Sequence, residues 1–255
     1  SNAFESSAEV LSISFDGYDG ELTVKEGEIV GLAGLAGSGR SSILRTIWGI
    51  KPRSDIRLRY LGEKYKSKKP MHALKNKIAY VSEDRSESGL FFGQPIKETV
   101  LMAHRNLQRK LLVKNKSEDK LLGQIIGEVQ IKVPTHECMP EALSGGNQQK
   151  LLFGRWITDE AKLLLLDEPT RGVDIKTKHE IYQRVRKMVE ANNAGALVVS
   201  SELEELVLMC DKVLIIRDGH VEDVLTGDRI TENNMMAEIT ASGKTKQQTE
   251  DNKSV

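Results

Sequence analysis

The chain has 255 residues, and its 37 basic residues balance 37 acidic ones, so that the formal net charge at pH 7 is +0. This balance gives no support to a general role in binding nucleic acids, because such proteins carry a basic surface. The 2 cysteines are too few for a disulfide framework. No apolar run approaches the roughly 20 residues that a membrane-spanning helix needs. The length suffices for one large domain with subdomains.

Alternating apolar residues and short apolar runs predict strands that alternate with helices along the chain. The strands are expected within 10–24 and at 29–33, 56–60, 78–81, 163–166, 196–199 and 213–216. The helices are expected from about residue 40 to Gly49, over 95–157 with a charged break at 114–120, and at 176–190 and 202–210. This order indicates an α/β fold around a parallel sheet.

A glycine-rich loop follows the strand at 29–33 and has the spacing of a phosphate-binding P-loop, with Arg40 at the usual lysine position. Glycines let backbone N–H groups converge on a phosphate, and the following helix adds its N-terminal dipole. Ser41 is placed to offer a hydroxyl to Mg²⁺. A glycine-rich turn of another α/β fold is the alternative explanation. The candidate nucleotide-binding residues are Gly34, Leu35, Ala36, Gly37, Ser38, Gly39, Arg40, Ser41 and Ser42.

Two further motifs support the interpretation of the glycine-rich loop as a phosphate-binding P-loop. Two consecutive glycines follow Ser144 at the start of a predicted helix, where Ser144 can cap the helix and the N–H groups can meet an anion. Asp167 and Glu168 follow four leucines. A carboxylate at the first position can hold Mg²⁺, and one at the second can orient or deprotonate a water molecule. The three motifs together indicate an ATPase.

This set of motifs resembles the nucleotide-binding domain of ABC transporters over about residues 8–240. The resemblance implies a P-loop NTPase fold: a RecA-like parallel sheet with flanking helices, an antiparallel β subdomain, and an α-helical subdomain at about 93–157. We expect this domain to span 4–240, with residues 1–3 a tag scar and 241–255 a disordered tail. The implied cofactors are ATP and Mg²⁺.

The resemblance also implies roles for single residues. Glu168 matches the catalytic carboxylate, whereas Ser201 falls at the position of the switch histidine and Glu83 at that of the Q-loop glutamine. Asp174 matches the D-loop. The candidate catalytic residues are Glu168 and Ser201, and the candidate Mg²⁺ ligands are Ser41, Glu83 and Asp167. The signature motif, which contacts a nucleotide held by the partner domain, is formed by Ser144, Gly145, Gly146 and Asn147.

A closer resemblance is to the second ATP-binding half of tandem simple-sugar importers of the ribose and galactose type. These halves depart from the general ABC pattern at the same positions as this chain, Arg40, Glu83 and Ser201. Since these changes weaken the domain's own P-loop site, the resemblance predicts that its signature motif serves the partner's site. The implied partners are the first ATP-binding half of the same polypeptide, membrane permease subunits and, indirectly, a solute-binding protein. The implied location is the cytoplasmic face of the membrane. A soluble non-transport ABC ATPase and a regulatory domain without turnover are the alternatives.

Three further features leave alternatives open. The resemblance implies an aromatic residue that stacks on adenine, and Phe15 and Tyr18 are the candidates; packing is the alternative role for each. Phe91 and Phe92 either line a groove for a partner helix or pack under the helical subdomain. The stretch 51–77 carries ten lysines and arginines against two acids, which indicates either a strand with a solvated basic face or a phosphate or lipid-headgroup patch.

Overall fold

The structure is a computed structural model that describes residue 4 and residues 6–83, 90–108, 115–156 and 161–241. The predicted tag scar and most of the predicted tail lie outside these residues. The strands are β1 (Glu9–Phe15), β2 (Glu21–Lys25), β3 (Ile29–Ala33), β4 (Ile56–Tyr60), β5 (Glu63–Tyr65), β6 (Ile78–Val81), β7 (Leu163–Asp167), β8 (Gly195–Val199), β9 (Lys212–Arg217) and β10 (His220–Thr226). The helices are α1 (Arg40–Trp48), α2 (Pro70–Lys75), α3 (Ile96–Gln108), α4 (Asn115–Val129), α5 (Gly145–Gly154), α6 (Ile175–Ala191), α7 (Leu203–Met209) and α8 (Glu232–Ala241).

The central sheet has the strand order β10-β9-β3-β8-β7-β6. All its neighbours pair in parallel except β10, which is antiparallel to β9. Every residue of β3, β7 and β8 is buried. Such uninterrupted apolar strands need cover on both faces, which parallel sheets receive from their crossover helices. The predicted α/β fold with a parallel sheet is therefore confirmed.

A second, antiparallel sheet has the order β2-β1-β4-β5. Its strands alternate between apolar and polar residues, and the apolar face packs with α1 and one face of the central sheet. In β4 the burial alternates as the sequence predicts, with Ile56, Leu58 and Tyr60 buried and the two arginines between them exposed. The predicted antiparallel β subdomain is thus present, and its inner face supports the helix that follows the glycine loop.

Three helices, α3, α4 and α5, pack in the stretch predicted as the helical subdomain, but the predicted break at 114–120 is wrong. Residues 115–120 are the first turns of α4, and among the described residues the stretch between α4 and α5, at 130–144, contains only a short 3-10 helix, Pro140–Ala142. One of the charged residues, Glu118, is held in the first turn by Arg105 of α3, which donates to both of its carboxylate oxygens, at 2.6 and 2.8 Å. An acidic residue in the first turn also suits the helix dipole. Residue 114 lies outside the described part.

Four elements were not expected: β5, β10, α2 and α8. The turn at Asp218 and Gly219 leads into β10, which pairs with β9, and α8 buries only Met235 and Ile239. Elements with so few buried apolar residues show no clear periodicity in the sequence, so they were not predicted. Since α8 includes Ala241, the predicted tail begins one residue too early. In the ranges given above, the structure has no helix that is long and apolar enough to cross a membrane.

Candidate nucleotide site

The glycine loop joins the buried strand β3 to the N-terminus of α1. Gly37 and Gly39 have φ angles of +80° and +95°, in the region that favours glycine. A Cβ on Gly39 would lie 2.8 Å from Cα of Gly219. The backbone N–H of Gly219 also donates to the carbonyl of Ser38, at 2.7 Å. The turn between β9 and β10 therefore holds the loop in place, and only glycine fits at position 39.

The loop has properties that suit a phosphate group. The Ser38 side chain is buried, and its hydroxyl has no hydrogen-bond partner among the residues that the structure describes. Buried hydroxyls are normally hydrogen-bonded, so an unpartnered one fits an absent ligand. A cavity of about 340 Å³ adjoins the loop between Leu35 and the end of β9. The unpaired N–H groups at the start of α1 add a positive potential.

Ser41 and Asp167, two of the predicted Mg²⁺ ligands, lie in direct contact. The Ser41 hydroxyl donates to Oδ1 of Asp167 at 2.7 Å, and the Tyr80 hydroxyl donates to Oδ2 at 3.1 Å. Burial raises the pKa of Asp167, and these two hydrogen bonds oppose the rise. Within the described ranges, no three His, Cys, Asp or Glu residues cluster as a metal site would require. One hydroxyl and one carboxylate fit Mg²⁺, which takes most of its ligands from phosphates and water.

The third predicted ligand, Glu83, is bound elsewhere. Its carboxylate accepts a hydrogen bond from the guanidinium of Arg171, in the loop that follows Glu168. The negative charge of Glu83 still acts on Asp167, whose pKa it raises further. Arg171 occupies one oxygen of this carboxylate, Oε1, so a contact of Glu83 with the metal would use the other oxygen, Oε2.

Arg40 extends from the start of α1 to the end of β8. Its Nη1 donates to the carbonyl of Ser200 at 2.8 Å. Burial lowers the pKa of Arg40, and the negative charges of Glu168 and Asp167 oppose this shift. The cation at the usual lysine position is thus held by a backbone carbonyl of the same chain.

The two predicted catalytic residues, Glu168 and Ser201, are brought together. The Ser201 hydroxyl donates to Oε2 of Glu168 at 3.0 Å. The backbone of Glu168 has a φ angle of +52°, and its N–H donates to the carbonyl of Val199 at 2.9 Å. A positive φ costs a residue with a side chain about 1–3 kcal/mol, and such strain is concentrated at functional sites.

One residue of this region, Glu205, was missed by the sequence predictions. Glu205 is buried, with only 2% of the residue exposed. It accepts hydrogen bonds from Thr170 Oγ1, at 2.7 Å, and from the hydroxyl of Ser200. Burial raises the pKa of Glu205. Glu205 thereby joins the loop after Glu168 to the residue before Ser201. The sequence signal that could have identified Glu205 was an acidic residue on the buried face of a short helix.

The signature residues form a second cluster, at the start of α5. Ser144 is the N-cap, and its exposed hydroxyl accepts a hydrogen bond of 3.4 Å from the Asn147 backbone. A Cβ on Gly146 would lie 3.0 Å from Thr177 Oγ1. Asp174 caps α6 and accepts hydrogen bonds from the backbone and hydroxyl of the same Thr177, at 3.0 and 2.8 Å. The predicted signature and D-loop residues therefore meet at Thr177.

The two aromatic candidates differ in exposure. Phe15 is 4% exposed and belongs to the core of the antiparallel sheet, whereas Tyr18 is 52% exposed. The Tyr18 ring stacks on His220 with centroids 3.5 Å apart. His220 follows Gly219, which contacts the glycine loop. Of the two rings, only Tyr18 presents a free face to a ligand.

Comparisons with known proteins agree with these features. A sequence model of the family described as "ABC transporter" matches residues 19–171. The chain belongs to the ABC transporter family. This ABC domain is 36% identical over 215 residues to the ribose import ATP-binding protein RbsA of Bacillus cereus, covering 84% of the chain and 43% of that relative. It is 32% identical over 237 residues to the galactose/methyl galactoside import ATP-binding protein MglA of Clostridium perfringens, covering 92% and 44%.

The ABC domain thus spans less than half the length of these curated relatives. Among solved structures, it is similar to the ADP conformation of MJ1267, an ATP-binding cassette of an ABC transporter, with a TM-score of 0.73. The sequence identity is 17%, and the similarity covers 95% of this chain and 99% of that one. At this identity the likeness supports the fold alone.

Proposed function

We propose that this ABC domain is the second ATP-binding half of a tandem importer for a simple sugar, and that its signature motif completes the site of the first half. Its similarity to ribose and galactose import proteins supports the substrate class. The observation that carries the proposal is the contrast between the two clusters: the guanidinium of Arg40 is held by the carbonyl of Ser200 at 2.8 Å, whereas the exposed hydroxyl of Ser144, at a helix start, makes only a long capping hydrogen bond of 3.4 Å.

In the domain's own site, residues 34–42 bind the phosphates of ATP, and Ser41 and Asp167 hold Mg²⁺, with Glu83 nearby. Mg²⁺ neutralises phosphate charge when bound. Glu168 orients the attacking water. Ser201 can donate a hydrogen bond, but it cannot supply the charge of an imidazolium. Removing one donor from a transition state typically costs about 10²–10³ in rate, so this site turns over slowly.

Toward the partner, the domain offers the N-terminus of α5. The N–H groups of Gly145 and Gly146 and the side chains of Ser144 and Asn147 face the γ-phosphate that the first half binds. Asp174, held by Thr177, fixes the neighbouring D-loop. Tyr18 stacks on the adenine of the domain's own nucleotide.

Membrane permease subunits are the second class of partner, with the domain at the cytoplasmic face and a solute-binding protein acting indirectly. Phe91 and Phe92 are each 40% exposed, while Leu90 before them is buried. Two adjacent exposed rings are typical of an interaction surface. We place a permease helix against them.

Copurification with the permease subunits tests this assignment. We expect the variant Phe91→Ser with Phe92→Ser to lose the permease while it retains ATP binding and its melting temperature. The matched control is Ile175→Ser, because Ile175 is 76% exposed on another surface. If the wild-type domain, assembled with its partner half, does not retain the permease, the domain belongs to a non-transport ABC protein.

A further inference from the structure

A basic surface on the antiparallel sheet has no part in the proposed function. The stretch 51–77 holds ten lysines and arginines against two acids, in a chain whose net charge is zero. In β4, Arg57 and Arg59 alternate with buried residues and are exposed. They share the outer face of the sheet with Lys64 of β5 and with Lys66 beyond it. We call these four residues the basic face.

The strand register arranges the basic face in rows. Arg59 lies opposite Ser12 of β1 on one side and opposite Lys64 of β5 on the other. Arg57 lies opposite Ser14. Since neighbouring strands are about 4.8 Å apart, one row brings a hydroxyl, a guanidinium and an ammonium group close together. Like charges directly opposite each other destabilise a sheet, so the pair of Arg59 and Lys64 lowers stability unless an anion lies between them.

The acids of the chain neutralise this face only in part. Arg57 pairs with Asp16 at its edge, with N–O distance 2.9 Å, where both side chains are largely exposed. Arg59 donates to the backbone carbonyl of Gly62 at 2.6 Å, which adds no negative charge. Among the residues that the structure describes, Lys64 and Lys66 have no ion-pair partner.

A groove of about 550 Å³ runs along the basic face. Its lining includes Ser12, Ser14, Arg59 and Lys64, together with Glu21 at one side. This volume lies in the range of small-molecule sites, roughly 300–1,000 Å³. Serine hydroxyls and an arginine fork are suitable donors for phosphate oxygens. None of the P-loop residues lines this groove.

We propose that the basic face binds a small molecule that carries two or more phosphate groups. One phosphate lies between Arg59 and Lys64, and a second lies at Arg57 and accepts from the exposed hydroxyl of Ser14. The two rows are two residues apart along the strands, which is about 7 Å between their backbones. This is wider than two linked phosphates, so the long side chains of Arg57 and Arg59 converge on them. A recessed groove suits a free molecule better than the flat surface of a membrane.

Thermal unfolding with inorganic pyrophosphate tests the proposal, using the whole chain without Mg²⁺ at low salt. The test variant is Arg59→Thr with Lys64→Thr, because threonine suits an exposed strand. Without pyrophosphate, we expect this variant to melt at or above the wild-type temperature, since the repulsion is gone. With pyrophosphate at about 100 times its dissociation constant, the wild type should gain about 5–10 °C more than the variant.

Pyrophosphate binding at the P-loop is common to the wild type and the test variant, so it cancels in the difference between their gains in melting temperature. The matched control, Lys176→Thr with Lys187→Thr on α6, should keep the full wild-type gain, since both lysines are exposed away from this face. Equal gains in wild type and test variant overturn the proposal. Sedimentation with phosphatidylglycerol vesicles separates the two sources of phosphate: lipid binding that the double substitution abolishes, without any difference in pyrophosphate gain, also overturns it.

Discussion

The P-loop cluster and the signature cluster differ in how far their polar side chains are hydrogen-bonded within the chain. In the P-loop cluster, Arg40 donates to Ser200, Ser41 to Asp167 and Ser201 to Glu168, so these three donors are bonded within the chain, whereas the buried hydroxyl of Ser38 has no partner among the described residues. In the signature cluster, Ser144 is exposed and makes one long hydrogen bond of 3.4 Å, to its own helix. Three side chains of the first cluster donate to groups of the same chain, whereas in the second cluster the Ser144 hydroxyl is exposed and is held only by its long capping hydrogen bond.

This difference indicates how one domain can hold two unequal functions. A side chain that is bonded inward stabilises the fold and must leave its partner before it contacts a nucleotide. A helix N-terminus that is open to solvent is available to a nucleotide without rearrangement. Substitutions in the P-loop cluster should therefore reduce stability, whereas those in the signature cluster should reduce the turnover of the partner's site.

The largest effect on stability is expected at Gly39. Alanine there must adopt a positive φ and would place its Cβ 2.8 Å from the backbone of Gly219. We expect Gly39→Ala to lower the free energy of unfolding by about 2–5 kcal/mol. Gly37→Ala is the matched control, because its φ is +80° but no atom lies within 4 Å of the added Cβ. It should lose about 1–2 kcal/mol. Equal losses in urea unfolding would contradict the packing of the loop against the β9–β10 turn.

An intermediate effect is expected at Glu205. Glutamine can accept from only one of the two hydroxyls, which leaves the other without its acceptor and costs about 1–3 kcal/mol at acid pH. Because burial raises the pKa of Glu205 above 4.5, the folded wild type binds more protons than the unfolded chain, and this residue's contribution to stability falls as pH rises through that pKa. Glutamine does not ionise.

The difference in unfolding free energy between wild type and Glu205→Gln should therefore shrink as pH rises from 4.5. Unfolding in urea at a series of pH values measures it. Other ionisable groups are common to both proteins, so they cancel in the difference. A difference that grows with pH would mean that the ionised carboxylate is the favoured form in the fold.

The smallest effect on stability is expected at Ser144. Its capping hydrogen bond is long and exposed, so Ser144→Ala should lower the free energy of unfolding by only about 0.5 kcal/mol. In an assembly with the first half, the same change should slow ATP turnover about tenfold to hundredfold, since a hydrogen bond to a charged group contributes about 1.5–3 kcal/mol. Ser144→Thr keeps the hydroxyl and should restore both quantities. A stability loss without a loss of turnover would assign Ser144 to the fold alone.

The sequence predicted the parts of the site that depend on spacing along the chain. The buried strands β3 and β7 are uninterrupted apolar runs, and glycine at position 39 is part of a recognisable loop. The contacts of Tyr80 with Asp167, and of Glu205 with Thr170 and Ser200, join distant residues. No local pattern indicates such pairs. The start of α4 was missed because Glu118, in its first turn, is satisfied by Arg105, which lies 13 residues away in the preceding helix.

ATP turnover by this domain assembled with its first half tests the division of roles most directly. We expect Gly145→Asp to reduce turnover about 100-fold or more, because the new charge repels the partner's nucleotide. An acid at a helix start favours folding, and Gly145→Asn controls for the size of the side chain. Glu168→Gln should leave most of the turnover. If Glu168→Gln abolishes turnover while Gly145→Asp has no effect, the domain's own P-loop site performs the hydrolysis.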